Sequence, residues 1–176
     1  MSARARGALL WTPLAAFVVL LILASVGLFK PTDRTVSSRL VGKPLPALNL
    51  PAIVPPHPGF SGSQAGPRLV NIFASWCGPC EVEVAQLAVL KARGLVIDGI
   101  AVRDVPGDLT AFLARNGDPY RAIGSDPDSR SMIALGASGV PESFIVDAHG
   151  VIRYHHIGAV GTQDVDAIAS AYQAAR

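Results

Sequence analysis

From Arg68 onward the apolar positions fall into regular spacings. Residues 68–75, RLVNIFAS, are a nearly continuous apolar run of β type and predict a buried strand. In CGPCEVEVAQLAVLKARG, residues 77–94, Val82, Val84, Leu87, Val89 and Leu90 recur near helical spacing, and Gly94 supplies a stop. LVIDGIAV (95–102) reads as a second strand, and VPGDLTAFLARNG (105–117) as a short helix opened by Pro106 and closed near Gly117. YRAIG (120–124) reads as a short strand. DPDSRSMIALG (126–136) reads as a helix with Asp126 as N-cap and Pro127 at its first position. SFIVDAHGVIRYHHIG (143–158) predicts two strands around His149-Gly150, and a closing helix starts at Thr162 as N-cap. Strands alternating with helices imply parallel strands joined by right-handed crossovers, with the hairpin as an antiparallel edge. The expected class is α/β, a central mixed sheet with helices on both faces.

Upstream the pattern is different. Residues 30–68 are rich in Pro, Gly and Ser, and GKPLPALNLPAIVPPHPGF carries Pro44, Pro46, Pro51, Pro55, Pro56 and Pro58. The early part fits an edge strand, the later part loop or extended polyproline-like chain. Residues 8–29, ALLWTPLAAFVVLLILASVGLF, contain no charge. Such a run makes about 33 Å of helix, enough for a hydrocarbon core of about 30 Å. Signal-peptide cores are shorter, ~7–15 residues, so a retained anchor is the better reading. Ala24, Ser25 and Gly27 keep cleavage open. Arg4 and Arg6 place residues 1–7 in the cytoplasm and the rest outside, although Lys30 and Arg34 weaken the asymmetry. The resulting division is 1–7 cytoplasmic, 8–29 transmembrane anchor, 30–37 linker and 38–176 outer domain.

The formal charge of +2 changes little. Removing Arg4, Arg6 and Lys30 from the 15 basic residues leaves 12 against 13 acidic ones from residue 31 onward. With no basic block, nucleic-acid binding lacks electrostatic support.

Cys77 and Cys80 are the only cysteines in the chain. A structural zinc site needs about four ligands. His57, His149, His155 and His156 show no ligand spacing with the pair, and adjacent strand residues His155 and His156 point to opposite faces. No metal is expected. A structural staple closing so short a loop removes little unfolded-state entropy. A reactive dithiol explains more. A helix beginning at Cys77 directs its free amides and positive dipole end at that sulfur, which lowers a thiol pKa from ~8.5. Cys77 is then the exposed attacking thiol and Cys80, one turn in, the buried resolving one. Pro79 in the first turn removes an amide that has no partner there.

These residues resemble a known superfamily. Trp76-Cys77-Gly78-Pro79-Cys80 resembles the thioredoxin active site, and GVPESFIVDAHGVIRYHHIG resembles its second hallmark, a strand preceded by a cis-proline, here Pro141. The stretch from about 106 to 124 adds a helix and a strand absent from thioredoxin itself. Thioredoxin carries a buried aspartate six residues before its first cysteine; here that position is Asn71, while Glu83 sits one turn beyond Cys80. The N-terminal anchor, VGKPLPALNLP and NGDPYRAIGSDPDSRSMIALGASGVPESFIVD resemble the membrane-anchored thiol:disulfide interchange proteins of cytochrome c biogenesis, CcmG or DsbE. The resemblance covers about residues 38–160. Ser143 stands where threonine is commoner, and Gly78-Pro79 is not the only dipeptide that family uses.

The resemblance implies a thioredoxin-like fold and a single-pass inner-membrane protein with its domain in the periplasm. It implies a thiol:disulfide oxidoreductase that reduces the haem-binding cysteines of apocytochrome c, or of a partner carrying them. Electrons would come from a membrane reductase of the CcdA/DsbD kind. The Cys77–Cys80 dithiol is itself the redox group, so no cofactor is expected. Glu83 and Pro141 join the two cysteines as catalytic candidates. Trp76, Gly78, Pro79, Val140 and Glu142 are candidate client contacts. Ordinary surface positions remain open for Glu83 and Glu142. A related client, such as the copper-site cysteines of cytochrome oxidase, or a non-cycling binding module, would share most of these motifs.

Overall fold

The computed structural model describes residues 13, 14, 16–22, 25 and 40–176. The chain divides into two units, Met1–Asp33 and Arg34–Arg176. In the first, the described residues are helical, and Leu14, Phe17, Val18, Val19, Leu20, Leu21 and Ile22 are all exposed. The expected segment 1–7, the linker 30–37 and much of the anchor 8–29 lie outside the described residues. Among the described residues no helix is long and apolar enough to cross a membrane.

The second unit runs β1 (Asn49–Leu50), β2 (Phe60–Ser61), β3 (Arg68–Phe73), α1 (Gly78–Ala92), β4 (Ile97–Val102) and α2 (Pro106–Asn116). It continues through β5 (Ala122–Asp126), α3 (Arg130–Ala134), β6 (Glu142–Val146), β7 (Ile152–Ile157) and α4 (Val165–Ala174). The main sheet has the order β5-β4-β3-β6-β7. β3, β4 and β5 are parallel, while β6 runs antiparallel to β3 and β7 antiparallel to β6. The crossover rule for a strand following a helix therefore holds for β4 and β5 and fails for β6. β3 is buried at every position because it lies mid-sheet with both faces covered.

The two faces are covered unequally. Leu69 and Phe73 pack with Val84 and Leu87 of α1, Leu109 and Phe112 of α2, and Ile168 and Tyr172 of α4. Val70 and Ile72 face Leu45, Phe60, Phe144 and Leu135, which follows the short helix α3. Much of the cover on this second face is the proline-rich chain. That chain also closes the sheet's edges. Pro58 O accepts from Ile123 N and Pro51 O from Ser125 N on β5, at 2.9 and 2.8 Å. At the other edge Gly42 N donates to Ile152 O and Lys43 O accepts from Ile152 N, 2.8 and 2.9 Å. Unpaired edges invite association, and here backbone groups of residues 42–58 occupy both.

Two helix starts differ from the sequence expectation. Asp126 is not an N-cap: it pairs in β5 opposite Val102, and α3 begins four residues later behind Ser129, whose φ is 59°. The side chain still reaches the helix, Asp126 Oδ2 accepting from Ser131 N at 3.0 Å and Met132 N at 3.1 Å. α4 begins after Asp164 rather than Thr162, because Asp164 Oδ2 accepts from Gly161 N at 2.9 Å and closes the turn that precedes the helix.

Gly99 of β4 leaves room for a stacked pair, Phe73 and Tyr120, whose ring centroids are 4.5 Å apart. A Cβ at Gly99 would lie 2.7 Å from Phe73 Cε1 and 3.0 Å from Tyr120 Cδ1. Gly99→Ala is expected to lower stability by about 1–3 kcal/mol through overpacking, read as a lower denaturation midpoint at unchanged m-value.

Candidate active site

β3 ends at Phe73, and the chain turns through Ala74, Ser75 and Trp76 into α1. The turn is tied down from the next strand. Asp104, just past β4, accepts from Ser75 N and Ser75 Oγ, both at 2.6 Å. Trp76 Nε1 donates to Val102 O and Arg103 O at 3.2 Å, which leaves the ring 58% exposed beside the turn. β3 and β4 run parallel, so their carboxyl ends meet and these bonds become possible.

Cys77 is the N-cap of α1 with extended backbone, and its Sγ accepts from Cys80 N at 3.2 Å. Gly78 and Pro79 form the exposed first turn. Cys77 and Cys80 are joined as a disulfide, S–S 2.11 Å. Cys77 is 5% exposed and Cys80 1%, so the expected exposed Cys77 is met only in rank. In this disulfide form the Cys77 sulfur lies on the first turn of α1. The helix terminus supplies what a thiolate needs, unpaired amides and a positive dipole end.

Glu83 follows Cys80 by three residues, on the same inner face of α1. It is buried, not a surface glutamate. Its Oε1 accepts from Asn71 Nδ2 at 3.0 Å and its Oε2 from Val160 N at 3.0 Å. Asn71 Nδ2 also donates to Ser143 Oγ at 3.1 Å, and Tyr120 Oη donates to Asn71 Oδ1 at 2.8 Å. Burial pushes the Glu83 carboxyl up to about 7, against the opposing bonds from Val160 and Asn71. Burial, then the charges of Glu83 and Asp118, hold Tyr120 well above its ordinary value, so it stays a donor.

The Val140–Pro141 bond is cis, as the resemblance implies. Ile72 pairs with Glu142, so Pro141 lies at the carboxyl end of β3, the end from which Cys77 emerges. Glu142 is also buried. Its Oε1 accepts from Ser138 N (2.7 Å), Ser138 Oγ (2.6 Å) and Gly139 N (3.2 Å), and its Oε2 lies 2.6 Å from His155 Nε2. Burial pushes this carboxyl up, but the His155 and Ser138 bonds outweigh it and hold it below its ordinary range. Beside the dithiol a groove of about 140 Å³ is lined by Trp76, Val102, Arg103, Ser129, Met132, Gly139 and Val140.

The structure therefore gathers Trp76, Cys77, Gly78, Pro79, Cys80 and Glu83 at one corner, with Val140 across the groove and Pro141 at the same sheet end. Glu142 acts on the segment before it instead of facing the groove directly. Sequence reasoning missed Asp104, Tyr120, Ser138 and His155 as partners. Strand pairing, which is non-local, brings Asp104, Tyr120 and His155 here, while Ser138 reaches Glu142 through the local turn before β6. Among the described residues no group of three or more His, Cys, Asp or Glu is placed to hold a metal.

Residues 40–172 match the redoxin family. The DsbE thiol:disulfide interchange protein of Pseudomonas fluorescens is 37% identical over 173 residues, covering 94% of each chain. HelX of Rhodobacter capsulatus, also a thiol:disulfide interchange protein, is 39% identical over 129 residues and 72% of each chain. The crystal structure of a Chlorobium tepidum protein assigned as DsbE superposes with a TM-score of 0.65 at 25% identity, over 77% of this chain and 96% of that one. The chain belongs to the DsbE family of thiol:disulfide interchange proteins. Its fold is thioredoxin-like, and Cys77–Cys80 is the redox-active pair of a thiol:disulfide oxidoreductase.

The two buried carboxylates carry opposite pH signatures. Glu83 is raised on folding, so the stability it contributes is full below about 4.5 and is lost as pH rises through about 7. Glu142 is lowered, so its contribution is present above its unfolded value and lost in acid. In the oxidised protein, Glu83→Gln is expected to gain stability relative to the native chain between pH 5 and 8, by up to about 3 kcal/mol. Denaturant unfolding at several pH values reads this difference. A flat difference across that range contradicts it.

Proposed function

We propose that this protein is a periplasmic thiol reductant of cytochrome c maturation, anchored in the inner membrane by residues 8–29. The observation that carries the reading is Cys77 at the N-cap of α1, its sulfur on the helix amides and beside an open groove. The kinship with DsbE and HelX supports it, and so does the exposed apolar helix around residues 16–22. The clients are the oxidised haem-binding cysteines of apocytochrome c, or a haem-ligation partner carrying them. A membrane reductase of the CcdA/DsbD kind restores the dithiol.

In the forward reaction the Cys77 thiolate attacks one sulfur of the client disulfide, and the other client sulfur leaves as a thiolate. Cys80 then loses its proton and attacks Cys77 Sγ, releasing the second client sulfur. Two electrons pass to the client, and the protein is left as the Cys77–Cys80 disulfide seen in the structure. Glu83 receives the Cys80 proton. A carboxylate with a pKa of about 7 on the same inner face suits that role near neutrality, and Asn71 cannot perform it. The negative charge of Glu83 also opposes a nearby thiolate. That disfavours the reduced form and makes the dithiol a stronger donor; about 30 mV corresponds to 1.4 kcal/mol for this couple. Trp76, Gly78, Pro79 and Val140 form the client-facing surface, with the buried Pro141 and Glu142 behind it holding its shape.

Cys80→Ser is expected to accumulate clients as mixed disulfides on Cys77. A deletion strain should lose c-type cytochromes while keeping assembled oxidase copper sites; the reverse pattern would assign the protein to copper-site cysteines instead. An alkaline-phosphatase fusion at residue 40 should be active in cells, and a processed, freely soluble form would reject the anchor. With a native rate that rises with pH through about 7, Glu83→Gln should slow resolution of the mixed disulfide about 100-fold at pH 7.5, measured by stopped-flow tryptophan fluorescence.

A further inference from the structure

We infer that His155 is a positioning residue for client exchange, holding Glu142 so that the Ser138–Val140 segment keeps the shape that receives the client. The inference rests on the reading of that segment as client contact.

His155 lies on β7 opposite Phe144, and its ring stacks on Phe144 with centroids 4.0 Å apart and planes 14° apart. Glu142 precedes Phe144 by two residues on the same face, so the imidazole reaches it diagonally across the strand pair. The His155 and Glu142 side chains are 4% and 2% exposed. Among the described residues Nδ1 of His155 is buried without a hydrogen-bond partner, so the bond from Nε2 to Glu142 is the one polar contact of the ring there. A phenylalanine would stack on Phe144 as well. What histidine adds is the donor to Oε2 of the carboxylate.

The two oxygens of Glu142 divide the work. Oε1 gathers Ser138 N, Ser138 Oγ and Gly139 N, fixing the residues that lead to Val140 and the cis peptide. Oε2 has His155. Without that donor a buried carboxylate oxygen is unpaired, a costly state. The carboxyl group then rotates toward other donors or takes up a proton, and either change weakens the bonds at Oε1. The His155 bond is also the largest of the interactions that hold the Glu142 carboxyl low. No other titratable group contacts this carboxyl among the described residues: Ile72 of β3 and Ile157 of β7 stand opposite it in the sheet, and its own segment offers Ser138 and Gly139. Gly139 and Val140 line the groove beside Trp76, so the effect reaches the client surface and leaves the sulfurs untouched.

The test compares two substrates of the reduced full chain. One is an oxidised Cys-Ala-Ala-Cys-His peptide, the other 2-hydroxyethyl disulfide, which is too small to engage the segment. The ratio of the two rates is the readout. His155→Phe is expected to lower this ratio about tenfold, the effect of one charge-assisted hydrogen bond. Its acid fall-off should also move to higher pH than in the native chain. His155→Gln, which keeps a donor, should recover most of the ratio, and His155→Leu serves where Phe does not fit. On a Glu142→Gln background the His155 change should have no further effect. An unchanged ratio in His155→Phe, or losses that simply add in the double variant, overturns the inference. If Glu142→Gln lowers the ratio while His155→Phe does not, the client-contact reading stands and the inference alone falls. If Glu142→Gln also leaves the ratio unchanged, that reading fails with it.

Discussion

The first turn of a helix has amides without an ordinary helical partner, and in this molecule the sulfur of Cys77 shares one of them, Cys80 N, with its own carbonyl oxygen. That contact depends on the chain leaving a fully buried strand in a fixed direction. β3 sits mid-sheet between β4 and β6, and its exit is pinned from one side by Asp104 on Ser75 and from the same side by the backbone oxygens that receive Trp76. From the other side β6 brings Pro141 to the same level. The parallel and antiparallel neighbours of β3 thus deliver two different structures to one end of the sheet. One is the helix start that carries the redox-active sulfur, the other the cis-proline segment at the head of β6.

Two buried carboxylates near this corner are poised in opposite directions by the same two forces. Glu83 has two donors, the Asn71 amide and Val160 N–H, and burial prevails. Glu142 has four donor contacts, three at one oxygen and His155 at the other, and the bonds prevail. A carboxylate that exchanges its proton near neutrality can serve proton transfer, while one that stays ionised through most of the pH range can serve as a permanent anchor for backbone amides.

Much of this was legible in the chain. The strand and helix periods from Arg68 onward are long and undisturbed, and Cys77-Gly78-Pro79-Cys80 announces both a helix start and its chemistry. The direction of β6 was not legible, because a hydrophobic run carries no sign and the connection through α3 resembles an ordinary crossover. The late start of α3 was hidden because Asp126 reaches a helix amide with its side chain from within a strand, five residues before the amide it binds. The burial of Glu83 is implicit in its spacing from Cys80, yet its partner Asn71 is twelve residues away and its partner Val160 seventy-seven. The Glu142–His155 pair follows from hairpin register, which is fixed only once the turn at Asp147 is known. Asp147 Oδ1 accepts from His149 N and Val151 N there.

The amide at position 71 sets how the charge in this site behaves. Tyr120 donates to Asn71 Oδ1, so the Asn71 nitrogen must face Glu83 and Ser143. Both oxygens of Glu83 therefore meet donors, and a protonated Glu83 has no acceptor for its proton in this arrangement. Burial drives the carboxyl toward the neutral form, while the donor geometry resists it. A pKa near 7 is the balance between them. An aspartate at position 71 would place a second charge against the first, and the pair would titrate in two coupled steps, neither belonging to one residue. With asparagine there, the interior beside the dithiol holds a single ionisable carboxyl on this network. Its one protonation step can then be matched to the one proton that leaves when Cys80 closes the disulfide.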